Sequence, residues 1–228
     1  MSAALTTLTA LGQSTFQNLD FESASLAPTS GQYGGPVPIS SALPGWAAFI
    51  GNVQQTQAIQ NDYTLGAASI DVFGPNWSSI APGLIDGNFT ILLEPGLSTQ
   101  GTVAASIEQT GTVPVNSESL QFKAWGFLPS PTLNVSFSGN SLMPVMLSSG
   151  QTLSGQTYTI FGADISTYAG QTGQLQFTIP YSNSGLNGVE FDDITFSPNA
   201  VPEPGTLALV LTGGGVLAIR RWRGKGSR

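Results

Sequence analysis

Thirteen carboxylates, with no histidine and no cysteine, set the chemistry open to this 228-residue chain. A Ser-His-Asp triad, a Cys-His pair and any His or Cys metal site are excluded. What remains is carboxylate chemistry. Asp62, Asp71, Asp86, Glu94, Glu108 and Glu118 are spread along the sequence, and two carboxylates flanking one bond can hydrolyse a glycoside. By spacing alone none of the six stands in a recognisable constellation, so a glycoside hydrolase using a carboxylate pair is an alternative rather than the leading reading. Neither a glycine-rich phosphate loop, an EF-hand loop nor a nucleophile elbow is present. A second set of residues is aromatic. Trp46, Trp77 and Trp125 stand near Pro or Gly, with the amides of Asn52, Gln54, Gln55 and Asn76 and the rings of Tyr33 and Tyr63 as further material. Aromatic faces beside amides hold sugars, which makes the three Trp the candidate ligand-binding residues; capping the end of a core is the competing use of each.

Charge is sparse and segregated. Thirteen acidic residues but only one base, Lys123, lie between Met1 and Ile219, whereas the last nine residues hold Arg220, Arg221, Arg223, Lys225 and Arg228. An acidic body repels phosphate backbones, which excludes nucleic acid as the expected partner. The basic cluster follows Gly205 to Ile219, a stretch without a charge. As a helix that stretch would rise about 22 Å, short against a bilayer core of about 30 Å but workable with thinning or snorkelling. Pro202 and Pro204 stop any preceding strand.

The order Pro202-Glu203-Pro204, short apolar helix, terminal Arg cluster resembles the PEP-CTERM protein-sorting domain, over Val201 to Arg223. The resemblance implies an exported protein of a Gram-negative-type bacterium that makes extracellular polysaccharide. It implies a tail held in the inner membrane, with Arg220, Arg221 and Arg223 fixing topology on the cytoplasmic side. Pro202, Glu203 and Pro204 would be the motif read by an exosortase-type processing enzyme, which frees the body towards the cell surface or extracellular matrix. Residues 1–13, mildly apolar and ending near Ala10-Leu11-Gly12, read as the remnant of a signal peptide whose start lies upstream.

The elements that must position any site are strands. Phe89, Ile91 and Leu93 alternate, as do Leu120, Phe122 and Ala124, then Leu133, Val135 and Phe137, then Leu175, Phe177 and Ile179. Tyr158 and Ile160 mark another strand, and Val189 to Phe196 the last. Pro and Gly separate the runs and no amphipathic helix of three turns appears, which predicts an all-β sandwich or jelly roll over residues 16–198, followed by the short hydrophobic transmembrane helix of 201–223.

Asn18-Leu19-Asp20-Phe21-Glu22 near the start and Val189-Glu190-Phe191-Asp192-Asp193-Ile194 near the close bracket this body. Together they resemble galactose-binding-like jelly rolls, found in carbohydrate-binding modules and envelope proteins. By position the resemblance implies Glu22 and Asp192 as ligands of a structural calcium ion, a cation that takes oxygen donors. Period two places Asp192 on the face of Ile194 and Phe196, where a carboxylate would need a metal or strong hydrogen bonds. The leading expectation is therefore a non-catalytic, exported envelope or matrix protein with a structural role at the cell surface. A carbohydrate-binding module recognising extracellular polysaccharide is the second.

Overall fold

Alternation of apolar and polar residues at period two makes a strand bury one face, and here many short strands do so against one another. The computed structural model describes residues 15–29, 33–64, 66–77, 83–126, 133–182 and 188–202. Within them run β1 (Pro36–Pro38), a helical turn α1 (Ile39–Ala42), β2 (Ala47–Ile50), β3 (Val53–Gln55), β4 (Gln57–Gln60) and β5 (Ser69–Phe73). There follow β6 (Thr90–Glu94), β7 (Gly96–Ser98), β8 (Gly101–Val103), β9 (Ala105–Thr112), β10 (Ser119–Gly126) and β11 (Asn134–Phe137). The last are β12 (Asn140–Leu142), β13 (Val145–Gln151), β14 (Thr157–Asp164), β15 (Thr172–Ile179) and β16 (Val189–Ser197). The large sheet has the order β1-β4-β5-β6-β16-β10-β14-β13 and the small one β12-β11-β15-β9-β2-β3, with β7 and β8 as a separate ribbon. Only β4 and β5 pair in parallel among the described ladders. The all-β expectation holds, and the architecture is a two-layer sandwich.

One core lies between the two sheets. Ile70 and Val72 of β5, Ile91 and Leu93 of β6, Leu120, Phe122 and Ala124 of β10 and Phe191 of β16 meet Val135, Phe137, Leu175, Phe177 and Ile179 of the small sheet. The four alternating triplets legible in the sequence therefore face inward as expected. Tyr158 and Ile160 do lie on β14, but Phe161 and Ala163 supply its inner face. Phe177 is the hub of an aromatic stack: its ring stands 5.1 Å from Phe191, 5.4 Å from Phe122 and 6.4 Å from Trp46. The segment before α1 closes one end. Phe21 is fully buried against Phe191, Leu19 O accepts a hydrogen bond from Ile194 N at 2.9 Å, and Phe16 packs on Phe196. Gln17 and Gln109 exchange two bonds there, and the Phe16 ring lies over Gly111, where any Cβ would collide with it. The opening and closing motifs of the body are thus neighbours in space.

Phe177→Ala removes the hub ring from a closed core. Its expected cost is about 3–5 kcal/mol of unfolding free energy, read as a lowered midpoint in urea with little change of slope.

Candidate functional site

Three neighbouring strands of the large sheet are buried on both faces. Each residue of β5 and of β6 is buried, and so are Val189 to Asp192 of β16. Since Ile70, Val72, Ile91, Leu93, Val189 and Phe191 fill the inner core, the pleat turns Ser69, Asp71, Phe73, Thr90, Leu92, Glu94 and Glu190 to the outer face. Register completes the arrangement. Asp71, Leu92, Glu190 and Trp125 lie opposite one another in one row, Ser69 is opposite Glu94, and Phe73 is opposite Thr90. Over the middle of this face Phe73 and Leu92 pack with Trp77, joined by Tyr63 and Leu84. The Trp77 ring stacks on Phe73 with centroids 4.3 Å apart.

Acids flank that patch. Asp71 and Glu190 are 0% exposed and Glu94 is 5% exposed. Ser69 Oγ lies 2.5 Å from Asp71 Oδ2 and 3.0 Å from Glu94 Oε2 and from Thr64 Oγ1. Thr64 N donates to Glu94 Oε2 at 2.6 Å. The Thr64 hydroxyl donates to the carbonyl of Ala67, which can only accept. Ser69, with a single hydroxyl proton, thus stands between two carboxylates that both approach its Oγ. Asp71 Oδ1 and both oxygens of Glu190 are buried with no hydrogen-bond partner. Burial first, and the neighbouring Glu94 charge second, push Asp71 and Glu190 well above the usual carboxylate range. Burial likewise raises Glu94 to about 7, against the pull of its bonds from Thr64 and Ser69.

A second acidic group sits at the other end of the same face. Asp192 accepts from Thr90 Oγ1 at 2.7 Å, from Asp86 N at 3.2 Å and from Asp193 N at 2.7 Å. Its burial raises it to about 8. The expected face of Asp192 needs correction: it does not share one with Ile194 and Phe196. Asp193 adopts φ of 48° and forms a bulge opposite the Gln121 to Lys123 stretch, so the alternation resets and Asp192 points outward while Ile194 points in. Glu22 binds the same stretch of chain that Asp192 does. Its Oε1 accepts from Asn88 N at 2.7 Å and Phe89 N at 3.0 Å, and its Oε2 from Asn88 Nδ2 at 2.9 Å. Gly87 turns with φ of 52°, and a side chain there would run into the Glu22 carboxylate. Glu22 and Asp192 thus clamp the same segment, 86–90, and all four of their oxygens already accept protein donors. Lys123 bridges Asp86 and Asp193 and lies over the Tyr158 ring. Burial opposes its charge, but Asp193 and Asp86 outweigh this and hold the ammonium above its usual range. Among the described residues no three His, Cys, Asp or Glu side chains converge as a metal site.

The three candidate Trp do not form one platform. Trp46 is 5% exposed in the inner core, its Nε1 donating to Asn18 O at 3.0 Å. Trp77 is 6% exposed in the outer patch, with Tyr33 and Tyr63 edge-on to it. Trp125 is half-buried on β10, a strand rather than a loop. Pro202 is exposed, whereas Glu203, Pro204, Arg220, Arg221 and Arg223 lie outside the described residues, as do residues 1–13 and the apolar stretch 205–219. Among the described residues no helix is long and apolar enough to cross a membrane.

Of the carboxylates singled out by sequence, Asp71 and Glu94 are brought together, with Asp62 near enough for its charge to act on both. Asp86 pairs with Lys123, and Glu108 accepts from Gln176. Glu190, absent from that set, completes the cluster; its signal was an acid between the apolar residues Val189 and Phe191. Asp71 and Glu94, sharing the Ser69 hydroxyl, have the closeness of an acid/base pair, and both are buried.

No family model matches the sequence, and no curated protein matches it. Among solved structures the chain is similar to the enzymatically active domain of tailspike protein 4 of bacteriophage CBA120, with a TM-score of 0.37 and 16% identity over 77% of this chain. The chain spans 21% of that protein's length.

Glu22→Ala should free Asn88 and Phe89. Losing hydrogen bonds to a charged acceptor costs roughly 1–3 kcal/mol, and faster amide exchange confined to 86–90 is the expected readout.

Proposed function

We propose that this chain is a non-catalytic structural protein of the bacterial cell surface or extracellular matrix, with a galactose-binding-like jelly-roll body delivered by a PEP-CTERM-type tail. The observation that carries the reading is the use made of the aromatic residues. Trp46 and Trp77 are both buried in packed clusters, so their faces hold the fold together instead of meeting a ligand. The buried acids support it further, since Asp71 and Glu190 are 0% exposed while the face is sealed.

The tail fits the way the described body ends. After β16 the side chains of Val201 and Leu147 close over Gly162, where a Cβ would stand 2.7 Å from each. Pro202 then emerges exposed, which would present Pro202-Glu203-Pro204 to an exosortase-type enzyme while the apolar stretch and Arg220, Arg221 and Arg223 hold the inner membrane. A structural calcium ion at Glu22 and Asp192 belongs to the same family reading; it would have to share oxygens that already accept protein donors.

Trp125 favours a second reading. It is half-buried on the outer face, in the row of Glu190, and Tyr33 beside Trp77 is 58% exposed. These are the side chains through which a carbohydrate-binding module would hold extracellular polysaccharide.

Expression of the full chain in a polysaccharide-producing host carrying an exosortase tests the first reading. The body should be released in a shortened form, and Glu203→Ala should leave the unshortened form in the membrane fraction. Titration of the released protein with the host polysaccharide, followed by Trp fluorescence, should show no saturable change. Saturable binding abolished by Trp125→Ala would instead favour the module.

A further inference from the structure

Among the described residues, no cation stands against the outer acidic face. Asp71, Glu94 and Glu190 occupy three adjacent strands, and Glu190 has neither a donor nor a counter-ion for either oxygen. The body's one base, Lys123, is committed to Asp86 and Asp193. The other groups facing the cluster add no positive charge. Asp62 and Tyr63 face it from the segment after β4, Asp192 and Asp193 lie further along β16, and Asp86 and Tyr158 stand around Lys123. Nor, among the described residues, does the cluster have the convergence of a metal site. A buried carboxylate oxygen that accepts no donor is far less costly on a protonated group, so in the sealed state Asp71 and Glu190 carry protons.

What covers the face is tied to the acids themselves. Residues 61–64 reach it through Thr64, bonded to Glu94, and through Tyr63 on the Trp77 patch. Residues 83–89 reach it through Leu84, through Ile85 N bonded to Thr90 Oγ1, and through Asp86 N bonded to Asp192. Ionising a buried carboxylate demands solvation that protein groups here do not supply. Water is the remaining source, and it arrives only if the cover lifts.

We propose that the outer face of the large sheet is a proton-controlled latch: residues 61–64 and 83–89 seal it while Asp71, Glu94 and Glu190 are protonated and release it when they ionise. Release uncovers three carboxylates beside Tyr63 and Trp77, turning a packed patch into an acidic, aromatic groove. The sign follows from linkage. These acids bind protons more tightly folded than unfolded, so the stability they lend is complete below the ordinary carboxylate range and is lost as pH rises. For Glu94 the loss runs from about 4.5 to about 7, and for Asp192 from about 3.8 to about 8.

Hydrogen exchange of the full chain across this range, corrected for the intrinsic pH dependence of exchange, tests the latch. Protection of 61–64 and 83–89 should fall roughly tenfold or more between about pH 5 and about pH 9, while β9 and β15 stay protected. Glu190→Gln with Glu94→Gln should flatten that dependence at 61–64, whereas 83–89, tied also to Asp192, flattens only when Asp192→Asn is added; Asp71→Asn is the substitute should the pair fail to fold. Uniform protection at all pH values, or a loss shared equally by β9 and β15, overturns the proposal. Recovery of protection at high pH by millimolar calcium, reversed by EDTA and absent in the Gln variant, also overturns it, because the face would then be a cation site.

Discussion

Burial of β5, β6 and β16 on both faces is the constraint from which the rest of the molecule follows. A sandwich strand ordinarily buries one face and wets the other. Here Phe73, Leu92 and the acids on the outer side are also covered, so the chain must build a second, smaller cluster out of connections rather than strands. Trp77 does this by stacking on Phe73, and Asn61 anchors the turn that delivers it, accepting from Gly74 N at 2.7 Å and donating to Pro75 O. The acids are enclosed because they lie between two things that must be buried: the inner core behind them and the Trp77 patch beside them.

The bulge at Asp193 lets one strand serve both layers. Without it, strict alternation from Val189 would turn Asp193 into the core and Ile194 out of it. With φ of 48° at Asp193, the strand keeps Val189, Phe191 and Ile194 inward and leaves Glu190 and Asp192 outward. The same backbone step presents Asp193 to Lys123 at 2.8 Å. Lys123 in turn holds Asp86, and with it the segment that closes over Asp192. One local irregularity thus links the inner packing to the outer cover.

Half-buried strands were legible in the sequence because their two faces differ in composition: Leu133, Val135 and Phe137 alternate with Asn134 and Ser136, and Leu175, Phe177 and Ile179 with Gln174 and Gln176. Strands without that contrast were not. The centre of β5 is an aspartate among apolar neighbours, buried on each side. β9 packs Ala105, Ile107 and Gly111, and its glycine is there because the Phe16 ring occupies the space of a side chain. The acidic cluster was half legible. Asp71 and Glu94 were marked by type, but pairing brought Ser69 between them, and Glu190 joined through a register no local spacing reveals. The face of Asp192 was misread for the same reason: periodicity assumes a regular ladder, and a single left-handed residue reverses it.

The distribution of charge departs from the usual one, in which acids are solvated and surfaces charged. Four of the carboxylates, Asp71, Glu94, Glu190 and Asp192, are buried, while the run from Ala124 to Ala163, including the exposed edge strand β13, has no charged residue at all. Burial holds these four above the ordinary carboxylate range, which lessens their share of the formal charge of -7. Along the uncharged run, Ser, Thr, Asn and Gln meet the surroundings through hydrogen bonds in place of ionic contacts. A body of this kind gains little from salt-dependent attraction. Contacts made along this stretch rest on shape and hydrogen bonding, with no paired charges to orient them.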